Sequence, residues 1–187
     1  MTTLEILYQT AARPIPPALS HWENQVWDWC DDYTTAFPGP DLNEIHLDFA
    51  VYLFDLTHER VVLAYALSVE QLMQRDGSRM RGFPNVNASV QIALGDKAFK
   101  ADRGHFLGHA SGGVLDLNLF PQRRELNRGW SEEGKRFRAM ERHVAEHRGT
   151  FFYHRPLYDD ETWIPARLEY GILVDDEHWQ VDRFKNK

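Results

Sequence analysis

Between Ala98 and Gly149 the apolar pattern changes period, and that change limits the fold more than any other feature of the chain. Phe106–Leu107 and Val114–Phe120 are short β-like runs joined through Ala110-Ser111-Gly112-Gly113, a turn made flexible by its glycines. From Glu132 to His147 the spacing becomes helical. Phe137, Met140 and Val144 share one face, Lys135, Arg138 and Arg142 lie away from it, and Gly149 is placed to end the helix. Strand, turn, strand, loop and helix in that order predict an α+β unit.

The flanks are of mixed character. Pro14, Pro16 and Pro17 argue against helix in the opening stretch and predict an extended arm up to Leu19. Ser20 is placed to cap a helix over 21–37, in which Trp22, Val26, Trp29 and Tyr33 form a core-facing stripe ended by Pro38-Gly39-Pro40. Val51–Leu56 and Val61–Leu67 suit a hairpin around Thr57-His58-Glu59. Val62, Tyr65, Val69 and Leu72 also fit a helix ended at Asp76-Gly77, so the expectation is a hairpin running into a short helix. Residues 77–87 read as loop and Ser89–Leu94 as a strand. Thr150–His154, Ala166–Val174 and Trp179–Phe184 alternate as strands do.

A length of 187 residues suits one good-sized domain, and 43% hydrophobic with 13% aromatic residues supplies its core. The lone Cys30 cannot form an internal disulfide and is expected to pack in the core. The start MTTLEILYQT lacks a signal-peptide pattern, and Asp55, His58, Glu59 and Arg60 interrupt the greasiest stretch, so no membrane partner is expected and the chain reads as a soluble cytoplasmic protein. The net charge of -7 argues against a nucleic-acid partner until its distribution is considered. Residues 1–96 carry 5 basic and 13 acidic side chains and residues 149–187 carry 5 and 8, whereas residues 97–148 carry 11 and 7. A basic centre between acidic ends suits either a phosphate-binding groove or a solvated helix face.

The chemistry is concentrated from Asp102 to Glu141. Asp102-Arg103-Gly104-His105 is followed by Asn118-Leu119-Phe120-Pro121-Gln122, then Leu126-Asn127-Arg128-Gly129, then Phe137-Arg138-Ala139-Met140-Glu141. A histidine beside an arginine, two carboxamides and a carboxylate on a helix are what metal-assisted phosphodiester hydrolysis needs. They supply a base near neutral pKa, oxygen ligands for a hard cation, and positive charge for phosphate.

Those four pieces in order, with nine residues from Asn118 to Asn127, resemble the DNA/RNA non-specific endonuclease family of the ββα-metal (His-Me finger) superfamily. The resemblance covers roughly residues 98–172. It implies an α+β fold, an antiparallel sheet with a central ββα-metal finger in a nuclease core at 97–187; the helical or mixed segment 1–96 is expected to pack on that core as part of the same unit. It implies His105 as general base, Asn127 as the direct ligand of one Mg²⁺ (or Mn²⁺ or Ca²⁺ in its place), and Glu141 bonded to the ion's waters. Arg103 would help position phosphate, and Asn118 would buttress the finger or orient His105. The basic residues Arg123, Arg124 and Arg128 are the expected contacts to DNA or RNA phosphates. Asn127 and Glu141 are fourteen apart, wider than in the family, so Trp130 to Lys135 looks like an insertion and Glu133 becomes a rival for Glu141. The family's upstream phosphate-clamping arginine would be Arg75, Arg79 or Arg81.

Other readings compete. His105 and His109, and His143 and His147, are spaced four apart as zinc ligands on a helix would be, but Gly104 and Gly108 disfavour a helix there. The same fold also serves as a catalytically silent nucleic-acid-binding or protein-interaction module. A third reading is an antibacterial toxin with an immunity or inhibitor protein, delivered to other cells by a specialised secretion system, with residues 1–96 for docking or regulation. Oligomeric state is not legible.

Overall fold

The structure is a computed structural model that describes residues 1–47, 49–70, 85–113 and 116–187. Its frame is a six-stranded antiparallel sheet. The expected hairpin forms from β2 (Ala50–Asp55) and β3 (Arg60–Leu67), and β1 (Leu42–Leu47) adds to its outer edge. On the other side of β3 come β6 (Phe151–Leu157), β7 (Arg167–Val174) and β8 (His178–Lys185), in the order β1-β2-β3-β6-β7-β8. Because β3 joins β6, one sheet unites the two acidic flanks of the basic centre. Every residue of β3 is buried, as a strand covered on both faces must be.

Alternate side chains of these strands enter two cores. Leu63, Tyr65, Leu67, Phe151 and Tyr153 face α1 (Thr3–Thr10) and α2 (Trp22–Ala36), where Leu4, Leu7, Tyr8 and Trp22 cover them. The predicted aromatic stripe of α2 does this work, with Trp22 at 4.8 Å from Phe151 and 5.2 Å from Tyr65, both edge-on. Tyr33 continues the stripe into a buried polar knot. Its hydroxyl donates to Asp55 (2.7 Å) and accepts from Arg60 Nε (2.7 Å), tying α2 to the hairpin turn. Cys30 is only half-buried, and that burial pushes its thiol pKa up. On the opposite face Ala64, Ala66, Phe152, Tyr170 and Ile172 meet Phe137, Met140 and Val144 of α5 (Glu132–Glu146), as its spacing requires.

Four local expectations are corrected. The opening is not an extended arm: α1 forms because Thr2 and Glu5 make a reciprocal capping box, and the prolines act only beyond Thr10. Ser20 does not cap α2; His21 precedes it with no side-chain cap. Residues 89–94 are not a strand but part of α3 (Val86–Leu94), whose cap is Asn85, accepting from the backbone of Asn87 and Ala88. A short apolar run carries no period of its own, so the cap decides. The central strands lie elsewhere than predicted: they are β4 (Ala101–His105) and β5 (Leu119–Arg123), an antiparallel pair. β4 is mostly polar, and β5 is a five-residue strand with Pro121 inside it, so both become legible only through their pairing. The helix end expected at Asp76-Gly77, the start of the run at Val114 and the candidates Arg75, Arg79 and Arg81 lie outside the described residues.

Candidate active site

The β4–β5 pair is set against the sheet by Phe106 and Phe120, whose rings stack at 4.3 Å with an interplanar angle of 15°. The register places Asp102 opposite Gln122 and His105 opposite Leu119. At Gly104 a Cβ would come within 2.5 Å of the Gln122 side chain, so glycine lets that side chain lie across the pair. Asn118 is fully buried. Its Oδ1 accepts from Leu107 N and its Nδ2 donates to Leu107 O, both at 2.8 Å. With Phe106 N donating to Asn118 O at 3.0 Å, this clamps the chain as it leaves His105. Asn118 is therefore behind the site and not on its wall.

After β5 the chain makes the single turn α4 (Arg124–Asn127), reverses at Gly129 with φ of +69°, and enters α5 where Ser131 accepts from Gly134 N at 3.0 Å. Gly134 is required here, since a Cβ would lie 2.5 Å from the Glu125 carbonyl oxygen. This packing docks α4 on α5 and turns the polar face of α5 toward β4. Between them opens a cleft of about 1230 Å³, lined by Arg103, His105, Arg124, Asn127, Arg128 and Glu141 among others.

Two carboxylates organise its charge. Asp102 accepts from Arg124 Nε (2.9 Å), Arg128 Nε (2.5 Å) and, more weakly, Asn127 Nδ2 (3.5 Å). Burial works against its ionisation, but those bonds from Arg128, Arg124 and Asn127 prevail and hold its pKa below the ordinary value. Glu141 is the reverse case. Desolvation raises its pKa, although Arg138 donates to it at 2.8 Å, because it lies at the cleft floor with 22% of its side chain exposed. Its Oε1 would sit 3.9 Å from a Cβ on Gly108, three residues beyond His105. Beneath it, the charge of Glu141 adds to burial in raising the phenol of Tyr170.

Of the residues singled out from sequence, His105, Arg103, Asn127, Glu141, Arg124 and Arg128 line this cleft. Arg123 does not. It points to Glu125 at 3.6 Å while its backbone N–H donates to Asn186, so its expected phosphate contact is not supported by position. Glu133 turns to the other side of α5, accepting from Lys185 N at 3.3 Å, which leaves Glu141 as the helix carboxylate of the cleft. Sequence reasoning missed Arg138 and Arg142 as cleft residues, having read them only as lying off the buried face. Their spacing with Glu141 and Ala145 at three and four residues was the available signal. Arg142 makes no ion pair among the described residues. Asn85 and Asn87, at the start of α3, line the cleft too, with no signal in the sequence to announce it.

The histidine pairs do not assemble a zinc site. His143 and His147 stack on each other at 4.1 Å, and among the described residues no three His, Cys, Asp or Glu side chains are grouped to hold a metal. Also among the described residues, no helix is long and apolar enough to cross a membrane.

No family model matches the chain, and no curated protein matches it. Among solved structures it is similar to a chain in the crystal structure of the EndoG/EndoGI complex, described for its mechanism of EndoG inhibition. The TM-score is 0.49 and the identity 17%, over 85% of this chain and 80% of that one. Likeness at this level leaves function to the cleft itself.

Proposed function

We propose that the chain is a metal-dependent endonuclease of the ββα-metal type, with β4, β5 and α5 as the finger, cutting DNA or RNA without reading sequence. The observation that carries this is the convergence of His105, Asn127 and Glu141 on one cleft that Arg103, Arg124, Arg128, Arg138 and Arg142 also line. Motif pieces separated by up to 36 residues need not meet; here they do.

The donor set fits one kind of ion. It is no protein cage, since no trio of His, Cys, Asp and Glu is grouped among the described residues. Asn127 Nδ2 is turned to Asp102, which leaves Oδ1 as the oxygen available to a cation, with the Glu141 carboxylate in the same cleft. A Mg²⁺ ion keeps several waters and takes few protein oxygens, so it suits this pair, with Mn²⁺ or Ca²⁺ as substitutes. When bound it would supply the charge that stabilises the leaving 3′ oxygen. His105, as neutral imidazole, accepts the proton of the attacking water, whose oxygen bonds to phosphorus as the P–O3′ bond breaks. The cleft arginines hold the phosphate, and none of these groups is required to read a base edge. An inhibitor protein would be the partner that restrains such an activity in its own cell.

Nicking of supercoiled plasmid tests the reading. The parent should nick with Mg²⁺ and stop with EDTA. His105→Ala should lose about 10²–10⁴ in rate while Mg²⁺ binding by calorimetry survives. Asn127→Ala should lose metal affinity and rate together, and Glu141→Ala should lose about 10–100-fold. A parent that binds DNA and never nicks it would be a silent binding module, and a His105→Ala variant as fast as the parent would reject the assigned base.

A further inference from the structure

Trp130 lies beside Arg128, a residue of the cleft lining, with 63% of its own surface exposed. Its backbone is fixed, since Trp130 N donates to Glu125 O at 2.9 Å just after the Gly129 reversal. The guanidinium of Arg128 lies 5.0 Å from its ring centroid, and Arg128 also lines the cleft. Among the described residues no other ring or cation stacks on this indole, so Arg128 is its one such partner there while most of the residue stays exposed. The opposite example is Trp27 of α2, which is 73% exposed but has no cationic partner among the described residues and sits beyond the other face of the sheet.

We infer that Trp130, backed by Arg128, is a stacking platform for an unpaired nucleobase of a single-stranded nucleic acid whose phosphates lie in the cleft. The inference rests on the nuclease reading and adds a substrate class to it. Charge selects the occupant. The ring adjoins the arginine cluster, where a phosphodiester chain is attracted, and successive bases of such a chain present π-faces to a rigid aromatic surface. Stacking tolerates every base, so the platform favours splayed, unpaired strands without conferring sequence preference. A base-paired duplex keeps its faces occupied by its neighbours and gains nothing from the ring.

The test uses the full chain carrying His105→Ala, to prevent cutting, and fluorescence anisotropy of short labelled single strands of DNA and of RNA. A matched strand with abasic sites and a duplex complete the set. Trp130→Ala should weaken binding of the intact single strands by about 5- to 150-fold, the range for one stacked base, and Trp130→Phe should restore most of it. The abasic strand and the duplex should bind both proteins alike, and Trp27→Ala should change nothing. Equal weakening on intact and abasic strands, weakening confined to the duplex, or no effect of Trp130→Ala while the strands still bind would each overturn the platform alone. If the His105→Ala protein bound none of these strands, the nuclease reading would fail with it.

Discussion

His154 gives a sharp test of how the core beneath the site is built. It lies in β6, almost wholly buried, with the Tyr170 ring 4.0 Å and the Phe137 ring 5.7 Å from its own. Its Nδ1 has no hydrogen-bond partner among the described residues, and desolvation pushes its pKa down to about 3. An unfolded chain takes up this proton near pH 6.5, whereas the folded chain refuses it until about pH 3. The folded pKa is depressed, so stability is complete above about pH 6.5 and falls as the pH drops below it, by about 1.4 kcal/mol per unit. From pH 6.5 to pH 5 the loss is about 2 kcal/mol, a sizeable part of an ordinary domain's stability. His154→Leu cannot titrate, and it removes the unpartnered Nδ1 from the core. Urea unfolding followed by tryptophan fluorescence at pH 7, 6 and 5 should therefore show a steeper fall for the parent than for the variant. Carboxylates titrate in both proteins, so the difference between the two slopes isolates the imidazole. Identical slopes would mean that His154 accepts its proton in the folded state, and burial would not be what holds its pKa down.

Two further outcomes follow from packing and charge. Gly171→Ala would place a Cβ 2.0 Å from the Tyr153 ring across the β6–β7 pair, so the urea midpoint should fall by an equivalent of about 1–3 kcal/mol; an unchanged midpoint would show that the ring moves aside freely. Arg142→Ala, at the cleft, should weaken DNA binding and reduce the slope of log affinity against log salt by about one, whereas Arg123→Ala, off the cleft, should leave the slope as it is. The reverse result would relocate the phosphate track.

Much of the chain was legible where periodicity is local. The α2 and α5 helices, the β2–β3 hairpin and the three C-terminal strands follow from apolar spacing and punctuation, which each segment carries by itself. His105, Asn127 and Glu141 were singled out as ordered pieces of one pattern, and the structure brings these three side chains to one cleft. What eluded sequence reasoning depends on contacts between segments. The β4 and β5 strands are only five residues each, β4 mostly polar and β5 interrupted by Pro121, and they exist as strands because they pair with each other. The α1 helix was hidden by prolines whose reach is only a residue or two, although its capping box was written in Thr2 and Glu5. Which acidic residue of α5 faces the cleft depends on how that helix is rotated by Phe137, Met140 and Val144 in the core, and that rotation selects Glu141 over Glu133 and brings in Arg138 and Arg142. Sequence by itself determined which chemical groups the chain can offer and which segments are helix or strand. Tertiary structure alone decided which of those groups meet, because a side chain's neighbours are set by packing between elements distant in the chain.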